Sequence, residues 1–395
     1  MTVPIDQPMI PGLARLRQEA GRVAIEQTAA IPDMSGKVIT VAGAVDPATL
    51  GQTLMHEHLF LDLRQNHLPH LKMVPVEGRS EPLLTSEDFP ATELAKWEAK
   101  VDFGNLHLAR QEAPIADNYI LSDEGLAVRE VLEFKDRGGS TIVDVTSIGF
   151  KRDPEALLRV SRATGLNIIM GTGYYQKVFH PLDMDSRSVE ELTSVIVRDV
   201  TVGVGDTGIR SGIIGEIGVQ GSPVTTNDIK SVRAAARAGV LTGGAVSFHK
   251  GGDGRERFHV LDVYAEEGGD MSRAIMGHSD FMAHDVPLVL EVAERGVYIQ
   301  FDLIGRAEDL GESFASKDTK AITALVEAGY EDRILLSHDV CWKVHLKHYG
   351  GFGYSFILER FLPYLLEAGI TDAQVRKFMV DNPARVLPFV TPRPL

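Results

Sequence analysis

Eight short runs of aliphatic and β-branched residues recur along the chain, separated by stretches of helical periodicity. The runs are "TLMHEHLF" (53–60), "TIVDVTS" (141–147), "NIIMGTGY" (167–174), "GIIGEIGV" (212–219), "AVSFHK" (245–250), "RAIMGHSD" (273–280), "YIQFDLI" (298–304) and "RILLSHDV" (333–340). Between them lie helical candidates at 122–139, 153–165, 226–239, 259–269, 286–296 and 318–330. Many of these close on glycine, and two open on Asp or Thr-Asn, as helix ends prefer. Eight strands alternating with helices point to an α/β chain whose parallel sheet closes into a (β/α)8, or TIM, barrel. A doubly wound open sheet is the competing architecture. It needs no eighth strand and usually carries a glycine-rich phosphate loop, which is missing here.

The rest of the chain fits around that unit. "GKVITVAGAVDPATLG" (36–51) reads as a β-hairpin able to close the bottom of the barrel, and residues 1–35 read as an N-terminal extension. Residues 36–395 are then expected to form one domain, since barrels often exceed 250 residues as a single unit. The stretch 62–120 is long for a loop between a strand and its helix, so it should be functional or carry helices of its own, with "ATELAKWEAKVDF" (91–103) as one.

Charge and cysteine content narrow the function classes. A formal net charge of −15 argues against nucleic acid, which favours a basic face. The single cysteine, Cys341, permits no intrachain disulfide and suits a reducing compartment. The first residues lack the basic start and apolar core of a secretion signal. No apolar run approaches the roughly 18 residues of a membrane span, so a soluble cytoplasmic protein acting on a small molecule is expected.

In "LMHEHLFLD" (54–62) two histidines stand one residue apart inside an apolar run. Strand alternation turns His56 and His58 to one side and Glu57 to the other, which lets two imidazoles roughly 7 Å apart along the backbone share a metal ion. Catalytic groups of a barrel sit at the C-terminal ends of its strands. Reading those ends in order gives His56 and His58, then Glu216, His249, His278 and Asp339. A carboxylate inside "GIIGEIGV" is costly to bury without a cation. The set is all nitrogen and oxygen, which suits zinc, manganese, cobalt or iron(II). Six side chains exceed one tetrahedral centre, so two ions about 3.5–4 Å apart are expected, with Glu216 as the bridging anion.

These motifs, together with "ILLSHD" and "DNPAR" (381–385), resemble the phosphotriesterase family of the amidohydrolase superfamily, from about residue 36 to 390. "GKVITVAGAVDPATLGQTLMHEHL", "GIIGEIG" and "YGGFGYSFIL" (349–358) resemble its phosphotriesterase-related branch. The resemblance implies a binuclear barrel, with His56, His58 and Asp339 on a buried ion and His249 and His278 on an exposed one. The best-known members bridge the ions with a carboxylated lysine at the end of the fourth strand. No lysine stands there in this chain, so Glu216 takes that role, as in glutamate-bearing relatives, and the eponymous phosphotriester activity is put in doubt. Dimers are common in the family, so a homodimer is the implied assembly.

The implied chemistry is hydrolysis by a hydroxide bridging two divalent ions, zinc first, with Asp339 taking a proton and passing it to the leaving group. The bond cut would be a carboxylic ester, lactone or amide, and an N-acylated small anion such as N-acetyltaurine is one concrete substrate. An organophosphate triesterase and a catalytically inactive ligand-binding barrel are the alternatives. Tyr175 sits where lactonase-like relatives carry a tyrosine pointing at the bridging water. His338 can extend the proton relay or simply pack. Lys250 and Arg306 can meet an anionic tail, and Trp342 and Phe352 can form an apolar wall. Asp302 is expected to orient a metal-binding histidine rather than to bind metal, and Cys341 to be a buried hydrophobe.

Overall fold

The structure, a computed structural model, describes residues 32–67, 72–74, 83–85, 91–306 and 314–395. Eight parallel strands form one sheet: β1 (Gln52–Glu57), β2 (Gly139–Asp144), β3 (Asn167–Thr172), β4 (Ile213–Gly218), β5 (Val246–His249), β6 (Ala274–Met276), β7 (Tyr298–Phe301) and β8 (Ile334–Leu336). Each pairs with the next in chain order. The last returns to the first, where His56 N donates to Ser337 Oγ at 2.8 Å and Asp339 N donates to His56 O at 3.1 Å. These contacts bring the two ends of the sheet together as the TIM barrel.

All eight expected strands are present, several shorter than their apolar runs. The chain leaves the ladder where a residue takes positive φ, at Gly173, Lys250 (63°), His278 (48°) and Asp339 (51°). Two of those residues are site candidates, so the turns that end β6 and β8 also aim their side chains.

Helices α1 (Glu124–Asp136), α2 (Pro154–Thr164), α3 (Val189–Thr201), α4 (Thr226–Thr242), α5 (Glu256–Glu266), α6 (Val286–Glu294), α7 (Phe314–Glu327) and α8 (Leu362–Glu367) accompany the strands. Asp123, Asp153 and Asp285 cap α1, α2 and α6 through their carboxylates, and Thr225 opens α4 with a reciprocal side-chain cap from Asp228. Helix α3, started in the same manner by Ser188 and Glu191, was not among the sequence candidates. The helix expected over 91–103 ends at Glu98. There the carboxylate of Asp117 accepts from Val101 N at 3.0 Å and pairs with Lys100 at 2.8 Å, drawing the chain out of helical geometry.

The hairpin expected over 36–51 pairs Val38–Thr40 with Gly43–Val45 and plugs the lower end of the barrel. Val38 joins Met55, Val143, Ile169, Ile213, Ile275 and Leu335 in the interior apolar layer, and Val41 N donates to Ile168 O at 2.9 Å. The plug is so close to Gly212 that a Cβ there would lie 1.9 Å from Ile39 O. Of the expected extension, residues 1–31 lie outside the described residues, as does most of "LPHLKMVPVEGRSEP" in the long β1 loop. No described helix is long and apolar enough to cross a membrane.

Candidate metal centre

Above the interior apolar layer the barrel turns polar. Met55 belongs to that layer, so strict alternation would turn His56 outward; pairing between β1 and β2 slips between Leu54 and Glu57, and His56 faces inward. Glu57 goes the other way. Its carboxylate accepts from Ser337 Oγ, His338 N, His338 Nδ1 and Val340 N, which fixes the turn that presents Asp339. Tyr354, from the "YGGFGYSFIL" segment, anchors β1 by donating its hydroxyl to His58 O at 2.7 Å.

The six residues read from the strand ends are brought together, and all are buried. Glu216 lies in the middle. Its Oε1 is 3.4 Å from His58 Nε2, while its Oε2 is 3.4 Å from His56 Nε2, 2.7 Å from His249 Nδ1 and 3.9 Å from His278 Nε2. Asp339 Oδ1 is 3.2 Å from His58 Nε2 and 4.0 Å from His56 Nε2. Two sets of donor atoms therefore lie within 4.8 Å of one another on either side of Glu216: His56, His58 and Asp339, and Glu216, His249 and His278.

Each imidazole is held from behind, which leaves its other nitrogen facing the centre. His58 Nδ1 bonds Thr146 Oγ1 at 2.9 Å. Asp302 serves two rings at once, with Oδ1 2.6 Å from His278 Nδ1 and Oδ2 3.1 Å from His56 Nδ1. His249 is reversed: its Nε2 meets the side-chain amides of Gln176 (2.8 Å) and Gln220 (3.2 Å), and its Nδ1 faces inward. A third cluster of His56, His278 and Asp302 also has metal-compatible spacing. It lies on the far side of both rings from Glu216, so Asp302 is placed to orient them.

Two observations test whether the cluster suits metal. His56 Nε2 is buried and makes no hydrogen bond among the described residues, with Glu216 Oε2 3.4 Å away, although buried polar atoms are rarely left so. His249 Nδ1 and His278 Nε2 stand 2.8 Å apart, a spacing at which two lone pairs repel unless a proton or cation lies with them. The field demands positive charge as well. Burial opposes charge on every group here, yet His56 and Asp302 hold each other charged, and Glu216 is kept far below the usual carboxylate range by His56 and His249. Against its burial, Asp339 and Glu216 push His58 up to about 9. Burial and the neighbouring His278 push His249 down to about 4, so it is a neutral ring at neutral pH. A site that would hold protons this firmly holds cations for the same reason, and the donor set fits divalent metal.

The remaining candidates fall into place around this centre. The Tyr175 hydroxyl lies 3.3 Å from His249 Nδ1, its ring packed on Phe150 and Phe179; burial and the nearby Glu216 and Asp339 keep it a protonated phenol. Both nitrogens of His338 are engaged, Nδ1 with Glu57 and Nε2 with Ile357 N, so it packs and does not extend a relay from Asp339. Lys250 pairs with Asp253 and lies over Phe281, a residue of the cleft whose ring meets that of His278 edge-on. Cys341 is buried, and burial pushes its thiol well up, which makes it a poor nucleophile. Arg306 donates to Asp339 Oδ2 at 2.6 Å; with Trp342 and Phe352 it lines a cleft of about 800 Å³ at the barrel mouth. Thr146, Gln176, Gln220 and Gln300 were not singled out from sequence. The one available signal was that each lies close to the C-terminal end of a strand.

Comparison with known proteins places this architecture. Residues 36–387 match the model of the phosphotriesterase family. An N-acetyltaurine hydrolase from Danio rerio is 36% identical over 368 residues, covering 90% of this chain and 99% of that protein. Among solved structures, a resiniferatoxin-binding protein from Rhodobacter sphaeroides superposes with TM-score 0.80 at 37% identity, covering 91% of this chain and 96% of its own. A lactonase from Listeria monocytogenes gives TM-score 0.70 at 26% identity, covering 89% and 99%.

Proposed function

This chain belongs to the phosphotriesterase family and is a metal-dependent hydrolase; from that premise we propose that it cleaves the amide bond of an N-acylated small anion, N-acetyltaurine being the concrete candidate. The observation that carries the reading is the pair of neighbouring ligand sets with Glu216 within 3.4 Å of both, and the buried His56 Nε2 that makes no hydrogen bond among the described residues. We assign His56, His58 and Asp339 to one ion, His249 and His278 to the other, and Glu216 to both. When bound, two divalent cations, zinc first, supply Lewis acidity and a water of lowered pKa.

The chain's own residues then account for positioning and proton movement. Asp339 is the general base: its Oδ1 faces the centre, and Arg306 on Oδ2 keeps the carboxylate ionised and fixes its rotamer. It accepts a proton from the attacking water as the new C–O bond forms, and then delivers that proton to the amine nitrogen so that the C–N bond of the tetrahedral adduct breaks. Tyr175, a protonated phenol beside His249, is placed to donate a hydrogen bond to the carbonyl oxygen as it gains charge. Glu216 would serve both sets, its Oε1 nearest His58 and its Oε2 within reach of His56 and His249. The buried free thiol of Cys341 supports a reducing, cytoplasmic setting.

A carbonyl centre is favoured over phosphorus because the similar proteins include an amide hydrolase and a lactonase. The test is a side-by-side assay of N-acetyltaurine, a γ-lactone, an aryl ester and an aryl dialkyl phosphate with zinc- and manganese-loaded protein. The amide is expected to lead in kcat/KM by about tenfold or more. A lead by the phosphotriester, or no turnover of any of the four, would overturn the proposal.

A further inference from the structure

The cleft above the metal centre carries its own chemical preference. It opens between the loops that follow β1, β7 and β8, and its volume of about 800 Å³ suits a small-molecule ligand. Arg306 lies in its wall nearest the centre and Arg110 at its outer side, while Phe281, Trp342 and Phe352 supply apolar surface. Among the described residues that line it, Arg110 and Arg306 are the cations and Glu112 the carboxylate, in a chain of net charge −15.

Arg306 is only partly used by the protein. Among the described residues one terminal nitrogen, Nη2, makes all its hydrogen bonds: to Asp339 O and Asp339 Oδ2, both at 2.6 Å, and to Cys341 Sγ at 3.2 Å. Its Nε is buried without a partner among the described residues. The Trp342 ring faces the guanidinium at 5.7 Å. A guanidinium is a planar fork that binds oxyanions through two parallel N–H groups, and a desolvated donor without an acceptor is costly. Nη2 is committed to Asp339 and Cys341, whereas Nη1 makes no hydrogen bond among the described residues and is the end of the guanidinium left for an acceptor.

We propose that Arg306 binds the anionic group of the substrate, making it the residue that selects acylated small acids over neutral amides and esters. This rests on the hydrolase reading and adds to it the location and chemistry of the recognition site. The dimensions agree. In an N-acyl aminoethanesulfonate, three atoms separate the acyl carbon from the sulfur, a reach of roughly 5 Å when extended. The guanidinium stands one carboxylate away from the centre, since Asp339 contacts Arg306 through Oδ2 and faces His58 through Oδ1. A carboxylate or sulfonate at that reach meets the Nη1 end of the guanidinium while the acyl carbon lies beside Asp339.

Two measurements on the metal-loaded full chain test this. In the first, kcat/KM is compared for N-acetyltaurine and its neutral analogue N-acetylethanolamine. The wild type should favour the anion by about tenfold or more, and Arg306→Gln should reduce that ratio about tenfold. Any loss from disturbing Asp339 falls on both substrates and cancels in the ratio. Arg306→Lys, which keeps the charge without the fork, should lie between, and it serves if the glutamine variant does not fold. In the second, calorimetry measures binding of ethanesulfonate, which has no scissile bond, against the neutral ethyl methyl sulfone. Only the sulfonate should bind, and Arg306→Gln should weaken it about tenfold. An unchanged substrate ratio, or equal sulfonate affinity in wild type and variant, overturns the assignment even if hydrolysis is robust. Sulfonate binding lost in the variant, with no acyl compound turned over, would keep the recognition site and refute the hydrolase reading.

Discussion

Asp302→Asn is a nearly isosteric change with an outcome that can be worked from geometry. Asp302 accepts only: Oδ1 takes His278 Nδ1 at 2.6 Å and His278 N at 3.0 Å, and Oδ2 takes Gln300 Nε2 at 2.7 Å and stands 3.1 Å from His56 Nδ1. An asparagine must put its NH2 at one of these positions. In the first it faces two donors of His278; in the second it faces the Gln300 amide and His56. Either rotamer sets donor against donor and removes the charge that holds the remaining hydrogen bond. Loss of one charge-assisted hydrogen bond costs about 1.5–3 kcal/mol, or about 10- to 150-fold in an equilibrium constant. Because both histidines present their opposite nitrogens to the centre, that cost should appear as metal affinity. Competition against a chelating dye measures it on dialysed protein, with circular dichroism confirming the fold. Affinity within about twofold of wild type in a folded variant would refute the claim that Asp302 positions the two rings.

Asp339→Asn should lower kcat by about 10²–10⁴ with little change in KM, provided the variant retains metal; full turnover at normal metal content would remove Asp339 as the base. The His58 ring, with its pKa raised to about 9 in the metal-free fold, binds its proton more tightly folded than unfolded. That proton therefore stabilises metal-free protein below about pH 6.5, and the benefit is lost as pH rises through about 9, a change on the order of 3 kcal/mol. Urea midpoints of the metal-free form should fall across that window, while those of the loaded form should not follow, since metal has displaced the proton; a flat metal-free profile would contradict this. At the barrel floor, Gly212→Ala forces a methyl into Ile39 O and should destabilise by about 1–3 kcal/mol, read as a lower urea midpoint, and an unchanged midpoint would mean that the plug yields easily.

The barrel was legible because its signal is repeated: eight apolar runs alternating with helical stretches admit few architectures, and five of them place a candidate ligand at the same end. The ligand candidates followed from cost, since Glu216 inside "GIIGEIGV" has no inexpensive explanation without a cation. Alternation correctly put His56 and His58 on one side and Glu57 on the other, yet it could not say which side was inward. That depends on the slip in β1–β2 pairing between Leu54 and Glu57, a property of two strands whose paired residues lie 87 or 88 positions apart. The supports were out of reach for the same reason. Thr146, Gln176, Gln220 and Gln300 are ordinary polar residues until loops bring them behind a histidine. His338 sits beside Asp339 in sequence, and only the structure shows both its nitrogens tied to Glu57 and Ile357.

The central claim is that Glu216 sits between two cations held by separate ligand sets. Anomalous diffraction at the absorption edge of the metal, from crystals of zinc-loaded protein, measures this directly. Two peaks about 3.5–4 Å apart, one beside His56, His58 and Asp339 and the other beside His249 and His278, are the predicted result. A single peak, or density on the far side of the rings against Asp302, would contradict it.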